Sequence, residues 1–294
     1  MLRRTLHSAA RRLSTRPAAP YLPPLPQGGG ALPRLTLCLD LDECLVHCTS
    51  DDKGAPSFQE VQGPEAARTA AAQAERMQRR PPHREPDAIF ELPYLEQPVR
   101  VHKRPLLDDF LSAACQLCDV VLFTSAAPGY VEQLVPLIEP AGRPFAAVLT
   151  RAHCTELDAL YVKDLGQLGR PLERAVLLDD NPASFLLQPD NGVPITPWFG
   201  AADDRDLGAI LPLLRHLSSD DDVRPRLRER FKLQELLLKG MRESRTAVEK
   251  HGARVRERRT GPSQAGGRAA SVGPAEKQVM EELGLGTLPD DEKW

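Results

Sequence analysis

The chain has 294 residues and a formal net charge of −3, with 38 Lys plus Arg against 41 Asp plus Glu. That length holds one medium domain with extensions, or two small domains. So even a charge gives no general ground for a direct nucleic-acid partner, and no apolar run reaches the ~20 residues of a transmembrane helix.

Met1 to Arg16 carries Arg3, Arg4, Arg11, Arg12 and Arg16 among Ser, Thr, Leu and Ala, with no acidic residue. This is the composition of a transit peptide, whose helix has one basic and one apolar face. Dominance of arginine points to mitochondria rather than plastids. An ordinary basic tail has the same composition, and with it the location becomes nuclear or cytoplasmic. Pro17 to Pro33 is rich in Pro and Gly and reads as a linker, so residues 1–34 precede the domain.

Leu35 to Leu39 is an apolar, β-favouring run that stops at Asp40-Leu41-Asp42. In an open α/β sheet, chemistry sits just beyond the carboxyl ends of the strands. Two carboxylates in one small site repel, and they stay ionised together most easily around a cation such as Mg²⁺. One can attack as a nucleophile while the other moves a proton. An isolated Asp-x-Asp is more often a solvated acidic turn, so the reading needs support downstream.

Asp51 to Pro86 is a polar excursion, with a helix expected from Glu65 to Arg80 between Gly63-Pro64 and Pro81-Pro82. Ile89 to Leu95 and Val99 to His102 read as a small hairpin turning at Glu96-Gln97-Pro98. An amphipathic helix from Leu106 to Leu117 leads into the strand Val120 to Phe123, which stops at Thr124-Ser125, and Gly129 to Ile138 is a further helix. Cys115-x-x-Cys118 has no second pair at zinc-ligand spacing and reads as two packed thiols. Tyr161 to Leu165 sets Lys163 between apolar neighbours, and the third strand, Ala175 to Leu178, stops at Asp179-Asp180-Asn181-Pro182. Helices alternating with buried strands imply a parallel sheet with right-handed crossovers. A helix is expected over Leu207 to Leu217. Val223 to Arg259 then carries Leu227, Phe231 and Leu238 on one stripe with Leu237 beside it, docked at first and charged and exposed over 228–259. Residues 260–294 hold too few apolar side chains for a core and are expected to be disordered.

Strand-then-Asp, strand-then-Thr, Lys, strand-then-Asp-Asp is the order of the haloacid dehalogenase (HAD) superfamily of phosphotransferases, which this sequence resembles. Tyr161 to Gly169 (YVKDLGQLG), Asp179 to Gln188 (DDNPASFLLQ), Asp220 to Arg224 (DDDVR) and His102-Lys103-Arg104-Pro105 narrow the resemblance. They are similar to the catalytic domain of the small RNA polymerase C-terminal-domain phosphatases and their Dullard-type relatives, over about Leu35 to Leu227. The resemblance implies an α/β fold: a Rossmann-like parallel sheet flanked by helices, with a small β-hairpin insert and a helical C-terminal extension. The domain is then 35–227, with most of 51–86 a surface insertion that bears on substrate choice.

The resemblance further implies a Mg²⁺-dependent protein serine/threonine phosphatase acting on a phosphorylated protein or peptide. Asp40 is the expected nucleophile, forming an aspartyl-phosphate, and Asp42 the acid that becomes the base. Thr124 would hydrogen-bond a phosphate oxygen, and Lys163 would neutralise the phosphoryl group and pair with Asp179. Mg²⁺ would be held by Asp40, the backbone carbonyl of Asp42 and Asp180, with Asp179 nearby. Arg151 and Ser125 are the substrate-binding candidates, and His47 either serves the loop or packs against it. Cys44 stands where the family has Thr or Val. Asp180 stands where it commonly has Asn, which keeps an oxygen ligand and adds negative charge.

A presequence-receptor subunit of the mitochondrial inner-membrane import translocase carries the same domain behind a transit peptide, and would bring translocase partners in place of catalysis. That receptor has a transmembrane helix between the two, which Pro17 to Pro33 cannot supply. Receptor versions also often lose the catalytic aspartates retained here. A metabolite phosphatase of the wider superfamily is a third possibility, against which the match from Tyr161 to Gln188 argues for protein substrates.

Overall fold

In a computed structural model the described residues are 19–24, 33–50, 85–93, 95–140, 142, 144–157 and 160–240. The arginine-rich start, the helix expected at Glu65 to Arg80 and the tail from Thr260 lie outside them.

Five parallel strands form the centre. β1 (Leu35–Leu39) lies between β5 (Cys118–Phe123) and β9 (Ala175–Asp179), with β6 (Ala147–Leu149) beyond β5 and β10 (Gly192–Pro194) beyond β9. Strands covered on both faces read as continuous apolar runs rather than alternating ones. Their side chains nonetheless divide by parity. Leu35, Leu37, Leu39, Val120, Leu122, Val176 and Leu178 face one core, while Cys38, Val121, Phe123, Ala175 and Leu177 face another.

The two cores are closed differently. On the first side pack α1 (Leu107–Leu117), α2 (Pro128–Ile138) and α3 (Asp206–Ser219), through residues such as Phe110, Leu134 and Leu213. Each fully buried Leu on these helices stabilises the fold by roughly 1.5–3 kcal/mol. On the second side the cover is mostly short turns and loops: Leu22, Leu165, Leu168, Phe185 and Leu233. The guanidinium of Arg174, buried beneath the sheet, donates to the carbonyls of Leu217, Ser218 and Asp220 and so caps the end of α3.

One expectation is extended and one is corrected. The hairpin is a three-stranded antiparallel sheet, β2 (Val46–Thr49), β4 (Val99–Lys103) and β3 (Ala88–Phe90), because the chain leaving the Asp40 loop pairs with β4 as well. The helix expected from Val223 onward is interrupted. α4 (Arg224–Phe231) ends at Lys232, whose φ of 48° is left-handed, and a new helix starts at 233. The break rotates the stripe, so Leu233 is buried, Leu237 packs on the second core and Leu238 is exposed. A second antiparallel pair, β7 (Thr155–Leu157) with β8 (Leu160–Val162), leads directly into Lys163. All six cysteines are free thiols. Among the described residues no helix is long and apolar enough to cross a membrane.

Candidate active site

Three adjacent strands deliver their carboxyl ends to one place. Asp40 follows β1, Thr124 follows β5, Asp179 ends β9 and Asp180 comes next. Register makes these ends level, since Leu39 pairs with both Leu122 and Leu178, and the Asp40 amide donates to the Leu178 carbonyl at 2.9 Å. Lys163 enters from β8, and its Nζ lies 2.5 Å from Asp40 Oδ1 and 2.5 Å from Asp179 Oδ2. Burial works against the charge on this lysine. The carboxylates of Asp179 and Asp40 outweigh it, so its pKa moves up and the ammonium persists. Asp179 is raised by burial first and by the Asp40 charge second, with Lys163 opposing both.

The residues fit a divalent cation. Asp40, Asp179 and Asp180 are all buried and can each offer an oxygen within 4.8 Å of the others. Lys163 pairs with Asp40 and Asp179 of these three carboxylates, and an all-oxygen donor set suits a hard ion such as Mg²⁺. The Asp42 carboxylate stands outside this trio. It is half-buried and accepts a 2.6 Å hydrogen bond from the Tyr130 hydroxyl. Its side chain therefore has an environment separate from that of Asp40.

The loop from Asp40 to Val46 turns sharply at Glu43, whose φ of 58° is left-handed. A side chain in that region costs about 1–2 kcal/mol, and the surroundings hold it there. The Glu43 amide donates to Val46 at 2.8 Å, its carbonyl accepts from the Trp198 amide at 2.7 Å, and its carboxylate lies 3.3 Å from His47 Nδ1. His47 is buried, with Trp198 and Phe199 edge-on to its ring. It packs against the loop and also pairs with it. Arg104, buried too, makes two 2.8 Å bonds to Asp204 and one of 3.0 Å to Asp206, and donates to the Cys44 carbonyl at 3.2 Å.

Thr124 Oγ1 accepts from the Ala126 amide at 3.0 Å, which leaves its own proton to donate. Ser125 is exposed, and its carbonyl accepts from Arg151 Nε at 2.7 Å. The Arg151 guanidinium lies 5.0 Å above the Tyr161 ring. Arg151 and Ser125 therefore share one edge of the site, beside Thr124. Sequence reasoning misses Tyr130, Glu43 and the role of Arg104. An aromatic in the first turn of α2 reads as core, and no local pattern marks a left-handed Glu. The HKRP segment does flag Arg104, without revealing what it holds.

The family model of NLI interacting factor-like phosphatases matches residues 35–224. The CTD small phosphatase-like protein 2 of Dictyostelium discoideum is 32% identical over 224 residues, 74% of this chain and 34% of that protein. The human carboxy-terminal domain RNA polymerase II polypeptide A small phosphatase 1 is 41% identical over 131 residues, 45% of this chain and 50% of that protein. The chain thus spans about a third to a half of the length of these relatives. A solved structure of Fcp1, an essential RNA polymerase II CTD phosphatase, aligns with a TM-score of 0.40 and 21% identity, over 63% of this chain and 48% of that one. From the family match over its central domain, the chain belongs to the NLI interacting factor-like phosphatases.

Proposed function

We propose that this chain is a protein serine/threonine phosphatase that works through an aspartyl-phosphate on Asp40 and requires Mg²⁺. The observation that carries this reading is the buried bridge of Lys163 between Asp40 and Asp179, with Asp42 held apart on Tyr130. One Asp40 oxygen attacks phosphorus as the bond to the serine or threonine oxygen breaks, and protonated Asp42 gives that oxygen its proton. Asp42 then takes a proton from water. The water oxygen bonds to phosphorus, the acyl-phosphate P–O bond breaks, and Asp40 and inorganic phosphate are regenerated. Lys163 balances negative charge beside the nucleophile, and Thr124 can donate to a phosphate oxygen. Mg²⁺ held by Asp40, Asp180 and the Asp42 carbonyl, with Asp179 nearby, would supply further charge neutralisation on the phosphoryl group.

The relatives' names support a phosphorylated protein or peptide as substrate. Arg151, which donates to the Ser125 carbonyl and lies over the Tyr161 ring, would meet the peptide. The import-receptor reading and its translocase partners gain no support from this site or these relatives. A mitochondrial address is a separate proposal, carried only by the arginine-rich start, and uptake of the full chain by isolated mitochondria tests it. For the activity, phosphate release from an aryl phosphate and a phosphoserine peptide is measured with and without Mg²⁺, wild type beside Asp40→Asn. Turnover that needs both Mg²⁺ and Asp40 is expected; a folded wild-type protein that releases no phosphate from either substrate would remove the reading.

A further inference from the structure

We propose that Pro20 to Pro23, upstream of the family domain, is a strap that positions Lys163; this rests on the role given to Lys163 above. The segment makes two consecutive backbone hydrogen bonds to the loop that follows Lys163. The Tyr21 amide donates to the Gln167 carbonyl at 3.0 Å, and the Leu22 amide to the Leu168 carbonyl at 3.1 Å. Arg170 Nη1 donates to the Pro23 carbonyl at 2.7 Å. The Leu22 side chain is 2% exposed and completes the second core beside Leu165, Leu168 and Phe185. Gly169, at φ +73°, leaves the space the strap occupies, since a Cβ there would meet Pro20 at 2.5 Å.

The loop it grips is held from its other side as well. Lys163 is followed by a single 3₁₀ turn, Leu165–Gln167. From its other side, Asp164 accepts from the Gly166 amide at 2.9 Å and from Gln188 Nε2 at 2.8 Å, and Gln188 Oε1 accepts from the Leu165 amide at 3.1 Å. The loop is therefore held between Gln188 and the strap. A lysine that must reach two carboxylates at 2.5 Å tolerates little drift in the backbone that carries it. The strap also touches the segment bearing Arg151: the Tyr21 hydroxyl donates to the His153 carbonyl at 3.0 Å, and the two rings meet edge-on.

The test uses the full chain with Leu22→Asp, which expels the strap, and Tyr21→Phe, which removes one bond and keeps the packing. For aryl phosphate with Mg²⁺, Leu22→Asp is expected to lower kcat by about tenfold or more with little change in KM, and Tyr21→Phe by less. Added Ala-Pro-Tyr-Leu-Pro-Pro peptide should restore much of the loss. In a Lys163→Met background the Leu22→Asp change should alter residual turnover by less than about twofold, because the strap acts through that lysine. An equal loss in both backgrounds marks a plain packing role and overturns the proposal, as does an unchanged kcat. Should the wild type itself prove inactive, hydrogen exchange separates the two readings. Faster exchange at Leu165 to Leu168 than at β1 in Leu22→Asp sustains the strap on its own, and unchanged protection there overturns it.

Discussion

The inner and outer halves of the site are built by opposite means. Asp40, Asp179 and Asp180 sit at the ends of neighbouring strands, with Lys163 bridging the first two from an adjoining loop, all deeply buried. Asp42, Tyr130, Ser125 and Arg151 come from a turn, a helix and two loops, and of these only Tyr130 is buried. Groups whose charges must be fixed before substrate arrives are mounted on the stiffest elements. Groups proposed to exchange a proton or to meet a variable peptide are carried by segments that tolerate change.

The largest expected effect breaks the inner half at its centre. Asp40→Asn should lower turnover by at least about a thousandfold while leaving the circular dichroism unchanged; retention of even a tenth of the rate would take the nucleophile's role away from Asp40. Next is Lys163→Met, which leaves Asp40 and Asp179 buried without their shared cation. Loss of a buried partner of this kind costs about 3–5 kcal/mol, so chemical denaturation should show a large drop in stability as well as lost activity. A variant as stable as wild type would mean that the carboxylates find another partner.

The outer half should fail more gently. Tyr130→Phe removes the bond to Asp42 and is expected to lower kcat by about tenfold, the worth of roughly 1.5 kcal/mol for a hydrogen bond to a charged group. A kcat within about twofold of wild type would reduce Tyr130 to packing. Smallest is Arg151→Ala, expected to raise KM for a phosphopeptide a few-fold and leave aryl phosphate untouched. Equal losses on both substrates would instead put Arg151 next to the phosphate.

What the sequence makes legible follows the same division. Asp40, Thr124 and Asp179-Asp180 each end an apolar run, so the strand pattern alone sets them at one edge of a parallel sheet. Lys163 follows a strand too short to stand out, and the resemblance is what identifies it. Tyr130 and Glu43 escape because a buried ring and a strained backbone leave no period in the sequence. The strap is hidden for a different reason. Pro and Gly around it read as linker, and its partners are distant, Tyr21 and His153 being 132 residues apart. A similar blindness affects Lys232, where one left-handed residue resets a helical stripe that looks continuous on paper.

The cysteines carry a consequence for how such an enzyme ages under oxidative stress. Burial pushes Cys38 and Cys118 up to about 12 and Cys154 to about 11, and raises Cys44 and Cys48 well above the ordinary thiol value. Peroxide attacks the thiolate rather than the thiol, and at neutral pH these side chains present almost none. The proposed nucleophile is a carboxylate, which peroxide leaves alone. Turnover should therefore outlast a dose of hydrogen peroxide that silences a phosphatase built around a reactive cysteine, and the chain would go on removing phosphate while thiol-dependent enzymes beside it are switched off.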